Sequence, residues 1–79
     1  MNDYQYTGLK EKNGFREGQI LTERIGTTNR TKLVLCKGIY YNNQDGLFYA
    51  GFAYIDRKAT KRNKKVTVSG KSPFWLEKI

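Results

Sequence analysis

Nine consecutive residues, Arg57-Lys58-Ala59-Thr60-Lys61-Arg62-Asn63-Lys64-Lys65, carry six cations and no carboxylate. Charges this close repel one another, and forming a core does not require them. Phosphate oxygens would neutralise several at once. The asymmetry runs along the whole chain. Residues 1–56 hold seven Lys/Arg against six Asp/Glu, and residues 57–79 hold eight against one. Nearly all of the +8 net charge therefore lies in the last third. Arg57, Lys58, Lys61, Arg62, Lys64 and Lys65 are the expected phosphate contacts. Lys71 extends the patch if the turn at Gly70 folds toward them. Arg30, Lys32 and Lys37 join it if the strand that carries them lies alongside.

Other chemistries find little support. The chain has no histidine, which removes the commonest general base, the commonest metal ligand and every Ser-His or Cys-His nucleophile. One cysteine without histidine does not make a structural zinc site. The carboxylates Asp3, Glu11, Glu17, Glu23, Asp45, Asp56 and Glu77 are scattered, with no close pair for acid–base work. Gly70-Lys71-Ser72 is only a fragment of a phosphate-binding loop. The expectation is a protein that is not an enzyme, with no catalytic residue, metal or cofactor. Cys36 follows Leu33-Val34-Leu35 and reads as a small buried hydrophobe.

The elements that position the cations come next. Seventy-nine residues make one small domain, 1–79, that buries about 60–65% of its unfolded surface. Four Phe, six Tyr and one Trp supply the large buried areas of a thin aromatic core. A lone cysteine leaves no disulfide framework, which points to a reducing cytoplasm. No apolar run approaches a membrane span or a leader peptide, so no membrane partner is expected. The chain reads as a complete small gene product, with a composition suited to an AT-rich bacterial, plasmid or phage genome.

Strand signals dominate. Gly18–Ile25, Thr31–Tyr41, Leu47–Asp56, Lys65–Ser69 and Phe74–Ile79 read as strands. The best helical segment, Phe15–Ile25, contains Gly18 and lacks a sustained apolar stripe. Asn13-Gly14 is a hairpin signal, and Gly26–Asn29, Asn42–Gly46 and Ser69–Pro73 read as turns. Gly38 marks a bulge that switches which residues of the Thr31–Tyr41 run face inward. In Leu47–Asp56 both faces are apolar, as in a central strand. The basic stretch then falls in a loop between two strands. The expected class is all-β, a small antiparallel barrel. Phe15-Arg16-Glu17-Gly18-Gln19-Ile20 resembles the start of many SH3-like barrels, and Phe74–Ile79 resembles their closing strand. An oligonucleotide-binding barrel is the main rival, followed by a curved three-stranded sheet over residues 31–69. Open edge strands would allow a homodimer.

Gly51-Phe52-Ala53-Tyr54-Ile55 resembles the core of the RNP1 strand of RNA-recognition motifs, where aromatics stack on bases. The pattern departs at both ends, with Ala50 in place of a cation and Arg57 in place of an aromatic. No strand-helix-strand pattern precedes it. Phe52 and Tyr54 form a stacking platform if they face outward and core if they face inward. Tyr54 and Tyr49 are the expected stacking residues, and Trp75 is an expected core plug. The function expected is non-catalytic nucleic-acid binding, DNA or RNA, through phosphate contacts with weak sequence preference. The alternative is a small regulatory protein whose cations meet the acidic surface of another protein.

Overall fold

The computed structural model describes residues 3–79. Its strands are β1 (Tyr4–Tyr6), β2 (Glu11–Lys12), β3 (Phe15–Arg16), β4 (Ile20–Arg24), β5 (Thr31–Asn42), β6 (Phe48–Tyr54) and β7 (Trp75–Lys78), with one helix, α1 (Arg57–Asn63). All strand pairings are antiparallel. The 12-residue β5 is the spine. Strand β6 runs along one edge of it and β7 along β6. The other edge is shared, with β4 on residues 31–35 and β1 on residues 40–42. The sheet does not close on itself, because β4 and β7 each pair on one side only.

The bulge lies where the sequence places it. The β5–β6 register shifts between Cys36 and Gly38, and Gly38 has φ 144°, which favours glycine. The extra residue reverses the alternation. Val34 and Cys36 before it share a face with Ile39 and Tyr41 after it, opposite Tyr54, Phe52, Ala50 and Phe48. This inner face holds the core: Val34, Cys36, Ile39, Ala50 and Phe52 are buried. Cys36 is a buried free cysteine, and burial pushes its thiol pKa up.

Asn13 and Gly14 both have positive φ, 53° and 89°, as a tight two-residue hairpin turn demands. They join β2 to β3 and deliver Phe15 onto Phe52, 6.0 Å between ring centres. From the other side Trp75 packs on Phe52 at 5.9 Å. Half-buried, Trp75 acts as the core plug its position suggested. Strand β6 lies between β5 and β7 and is buried or half-buried throughout, in keeping with its two apolar faces.

Two expectations are corrected. The basic stretch is a helix for most of its length and not a loop. Asp56 caps it, its side chain accepting from Ala59 N at 2.9 Å, and Lys64 ends it in the left-handed conformation. Arg, Lys and Ala are strong helix formers. The helix buries only Ala59, so it lacks the apolar stripe by which a helix is recognised. Residues 65–69 form no strand. They run beside the end of β6 through the single bridge Ile55–Val68 and the bonds Asp56 N to Thr67 O and Ser69 N to Tyr54 O, both 2.9 Å. Thr60 Oγ1 clasps this segment to α1, donating to Thr67 O and accepting from Thr67 N.

Candidate nucleic-acid interface

A seven-residue helix is marginal in water, and α1 also carries two like-charged i,i+4 pairs, Arg57–Lys61 and Lys58–Arg62. Each pair costs about 0.2–0.5 kcal/mol. No acidic residue occupies its first turn. The Asp56 cap contributes about 1 kcal/mol in return, and Lys61 and Arg62 in the last turn meet the negative end of the helix dipole. At 100° per residue the four helical cations fan over an arc of about 140°, and all are exposed, as are Lys64 and Lys65 beyond the helix. The only ion pair among the described residues is Lys10–Glu17, at 3.7 Å. No carboxylate therefore neutralises the cations of 57–65.

The start of α1 opens onto a groove of about 460 Å³ at the end of the sheet. Lys32 reaches it from β5, Arg57 from α1 and Lys71 from the turn before β7. Thr31, Ser69 and Ser72 line it as well. Arg57 donates to Thr31 O at 3.2 Å, tying α1 to the start of β5. Ser72 Oγ accepts from Tyr54 N at 2.7 Å and holds the turn against β6. Asp56 is the one carboxylate of the lining, and its side chain is occupied by the cap. Lys71 and Lys32 thus lie in the same groove as Arg57. Arg30 and Lys37 do not line this groove; Lys37 lies at the bulge, about 17 Å along β5 from Lys32.

The stacking residues separate. Tyr54 borders the groove, but its ring is already engaged. Trp75 lies 4.8 Å away and Lys32 Nζ sits 4.6 Å from its centre. Its hydroxyl donates to Glu23 at 2.7 Å, which raises the phenol pKa. Phe52 faces inward as core. Tyr49 projects from the opposite face of β6, five residues or about 17 Å from Tyr54. It meets Tyr4 edge-on at 4.9 Å. Its hydroxyl donates to Asp45, which pushes its pKa up to about 12.

Other aromatics lie on the outer face. Tyr6 and Phe74 are 52% and 48% exposed, and Tyr40 stands between them at 5.6 Å from each. None of the three is among the residues expected from the sequence to stack on bases, and Phe74 is expected only as part of a closing strand. The missed signal was the pair of strand glycines, Gly38 and Gly51, which admit these rings. Among the described residues no three carboxylate or thiol groups gather as a metal would require. No described helix is long and apolar enough to cross a membrane. Comparison with protein-family models, curated proteins and solved structures yields no match.

Proposed function

We propose that this chain is a non-catalytic nucleic-acid-binding protein whose phosphate contacts come from α1, the residues just beyond it and the adjoining groove. One observation carries the reading. Lys32, Arg57 and Lys71, far apart in sequence, line one groove beside a helix whose exposed cations have no carboxylate partner. Lys58, Lys61, Arg62, Lys64 and Lys65 continue the positive surface. The site offers no element for reading base edges, so binding depends weakly on sequence.

We read the fold more finely as an SH3-like barrel left open between β4 and β7. The support is a second groove of about 300 Å³, to which β4 contributes Glu23 and β7 contributes Glu77, over a floor that includes Val34 and Phe52.

Salt titration tests the function. Five phosphate contacts give a log–log slope of about −4 to −5 on duplex DNA. Replacing Lys61, Arg62, Lys64 and Lys65 with alanine flattens that slope and weakens binding to all sequences alike. Absence of binding to either duplex or single strand at ~50 mM salt overturns the reading. Capture of an acidic protein from a nuclease-treated lysate would then favour a protein partner.

A further inference from the structure

We propose that the outer face of the sheet is a base-stacking platform for single-stranded nucleic acid, built by Tyr6, Tyr40 and Phe74 over the glycine pair Gly38–Gly51. The proposal rests on the nucleic-acid reading above and names the form of substrate.

The platform begins with two absent side chains. Gly38 and Gly51 face each other across β5 and β6. A Cβ on Gly38 would come within 2.7 Å of the Tyr6 ring, and one on Gly51 within 2.7 Å of Phe74 and 2.8 Å of Tyr40. Only glycine lets rings settle this close to the strands. The three rings form a row across the sheet, Tyr6 to Tyr40 and Tyr40 to Phe74, with interplanar angles of 61° and 69°. Half of Tyr6 and half of Phe74 remain in water. The glycines meet ring edges, Tyr6 Cε1 and Phe74 Cζ, so the exposed halves of these two rings offer π-surface to a nucleobase, and such stacking tolerates any base.

Charge is compatible with the same face. In the five-stranded sheet, register places both strand carboxylates, Glu23 and Glu77, on the inner face together with Lys32, and turns the cations Arg24 and Lys78 outward. Asp45, beside the outer face, is bonded to the Tyr49 hydroxyl. Glu17, which accepts from the Tyr6 hydroxyl, is itself paired with Lys10. Phe74 directly follows Pro73, part of the wall of the cationic groove. A strand with its bases on the aromatic row can therefore continue toward Lys71 and Arg57. In a duplex the base faces are already stacked on one another and closed to such a platform.

The test compares an oligothymidylate, an abasic oligomer with the same number of phosphates, and a duplex, at one salt concentration. Stacking of about 1–3 kcal/mol per base corresponds to roughly fivefold to a hundredfold in affinity. The unmodified protein should prefer the oligothymidylate to the abasic strand by at least about fivefold. A Tyr6→Leu/Phe74→Leu variant keeps apolar cover on the glycines and removes the two most exposed rings, leaving only the half-buried Tyr40. It should lose most of that preference and keep the salt slope. In the unmodified protein, ring resonances of Tyr6 and Phe74 should move on adding oligothymidylate and not on adding the abasic strand, while the Trp75 indole of the inner face stays in place. Equal affinity for both strands, or a preference that survives largely intact in the variant, overturns the platform and leaves the phosphate reading standing. Failure to bind all three ligands at ~50 mM salt removes the nucleic-acid reading and the platform with it.

Discussion

Replacing Gly51 with alanine introduces one methyl group under Phe74 and Tyr40. The new Cβ would lie 2.7 Å from the tip of the Phe74 ring and 2.8 Å from Tyr40, so a ring must shift, and at most swing out. Phe74 is the freer of the two, being 48% exposed and outside β7. A fully covered phenylalanine buries about 150–250 Å², so the half that Phe74 covers is about 100 Å². At about 25 cal/mol/Å² its loss costs about 2.5 kcal/mol. The smaller unfolded-state entropy of alanine returns about 0.4–1 kcal/mol. Gly51→Ala should therefore destabilise the fold by up to about 1.5–2 kcal/mol, the full value if Phe74 swings out altogether. With a urea m-value of about 1 kcal/mol/M, the midpoint falls by up to about 1.5–2 M. Phe74→Ala alone should cost a similar amount. The double variant should cost little more than Phe74→Ala, because the added methyl then meets space that Tyr40 can use. The coupling in this cycle is expected at up to about 1.5 kcal/mol. A Gly51→Ala protein as stable as the original, or single-variant costs that simply add, would show that the ring does not rest on this glycine.

Other perturbations address different parts of the molecule. Asp56→Ala removes the cap of α1 and should cost about 1 kcal/mol in a denaturant titration, while Asp56→Asn, itself a good cap, should restore most of it. Phe52→Ala should cost about 3–5 kcal/mol and leave so small a domain largely unfolded by circular dichroism. Tyr49 should be among the last tyrosines to ionise, at about pH 12. Its folded pKa exceeds its unfolded value, so the stability it contributes is complete below about pH 10 and is lost as pH rises from there toward 12. Asp45→Asn should move its tyrosinate absorbance change to lower pH. Cys36, 1% exposed, should react with a thiol reagent only as fast as the protein opens, so labelling should quicken in urea.

Features that depend on neighbouring residues could be read from the chain. Asn13-Gly14 announces its hairpin, because positive φ at both central positions is local chemistry. The parity switch at Gly38 follows from the period of a strand, and the double-sided apolar character of β6 marks it as central. Two local readings failed for one reason. Helix α1 has an N-cap and good helix formers, but buries only Ala59, so a search for apolar periodicity passes over it. The segment after it then lacked its true anchor, the side chain of Thr60.

Charge content, the lack of a histidine-based catalytic group and the alternation of the strands belong to the linear chain, since each is composition or a relation between near neighbours. The gathering of Lys32, Arg57 and Lys71 in one groove, the turning of Glu23 and Glu77 to one face and Arg24 and Lys78 to the other, and the meeting of Gly38 with Gly51 under three rings do not. They depend on register between distant strands. That register is set by the bulge and by burial of the inner face, and a shift of one residue would send every side chain of a strand to the other side.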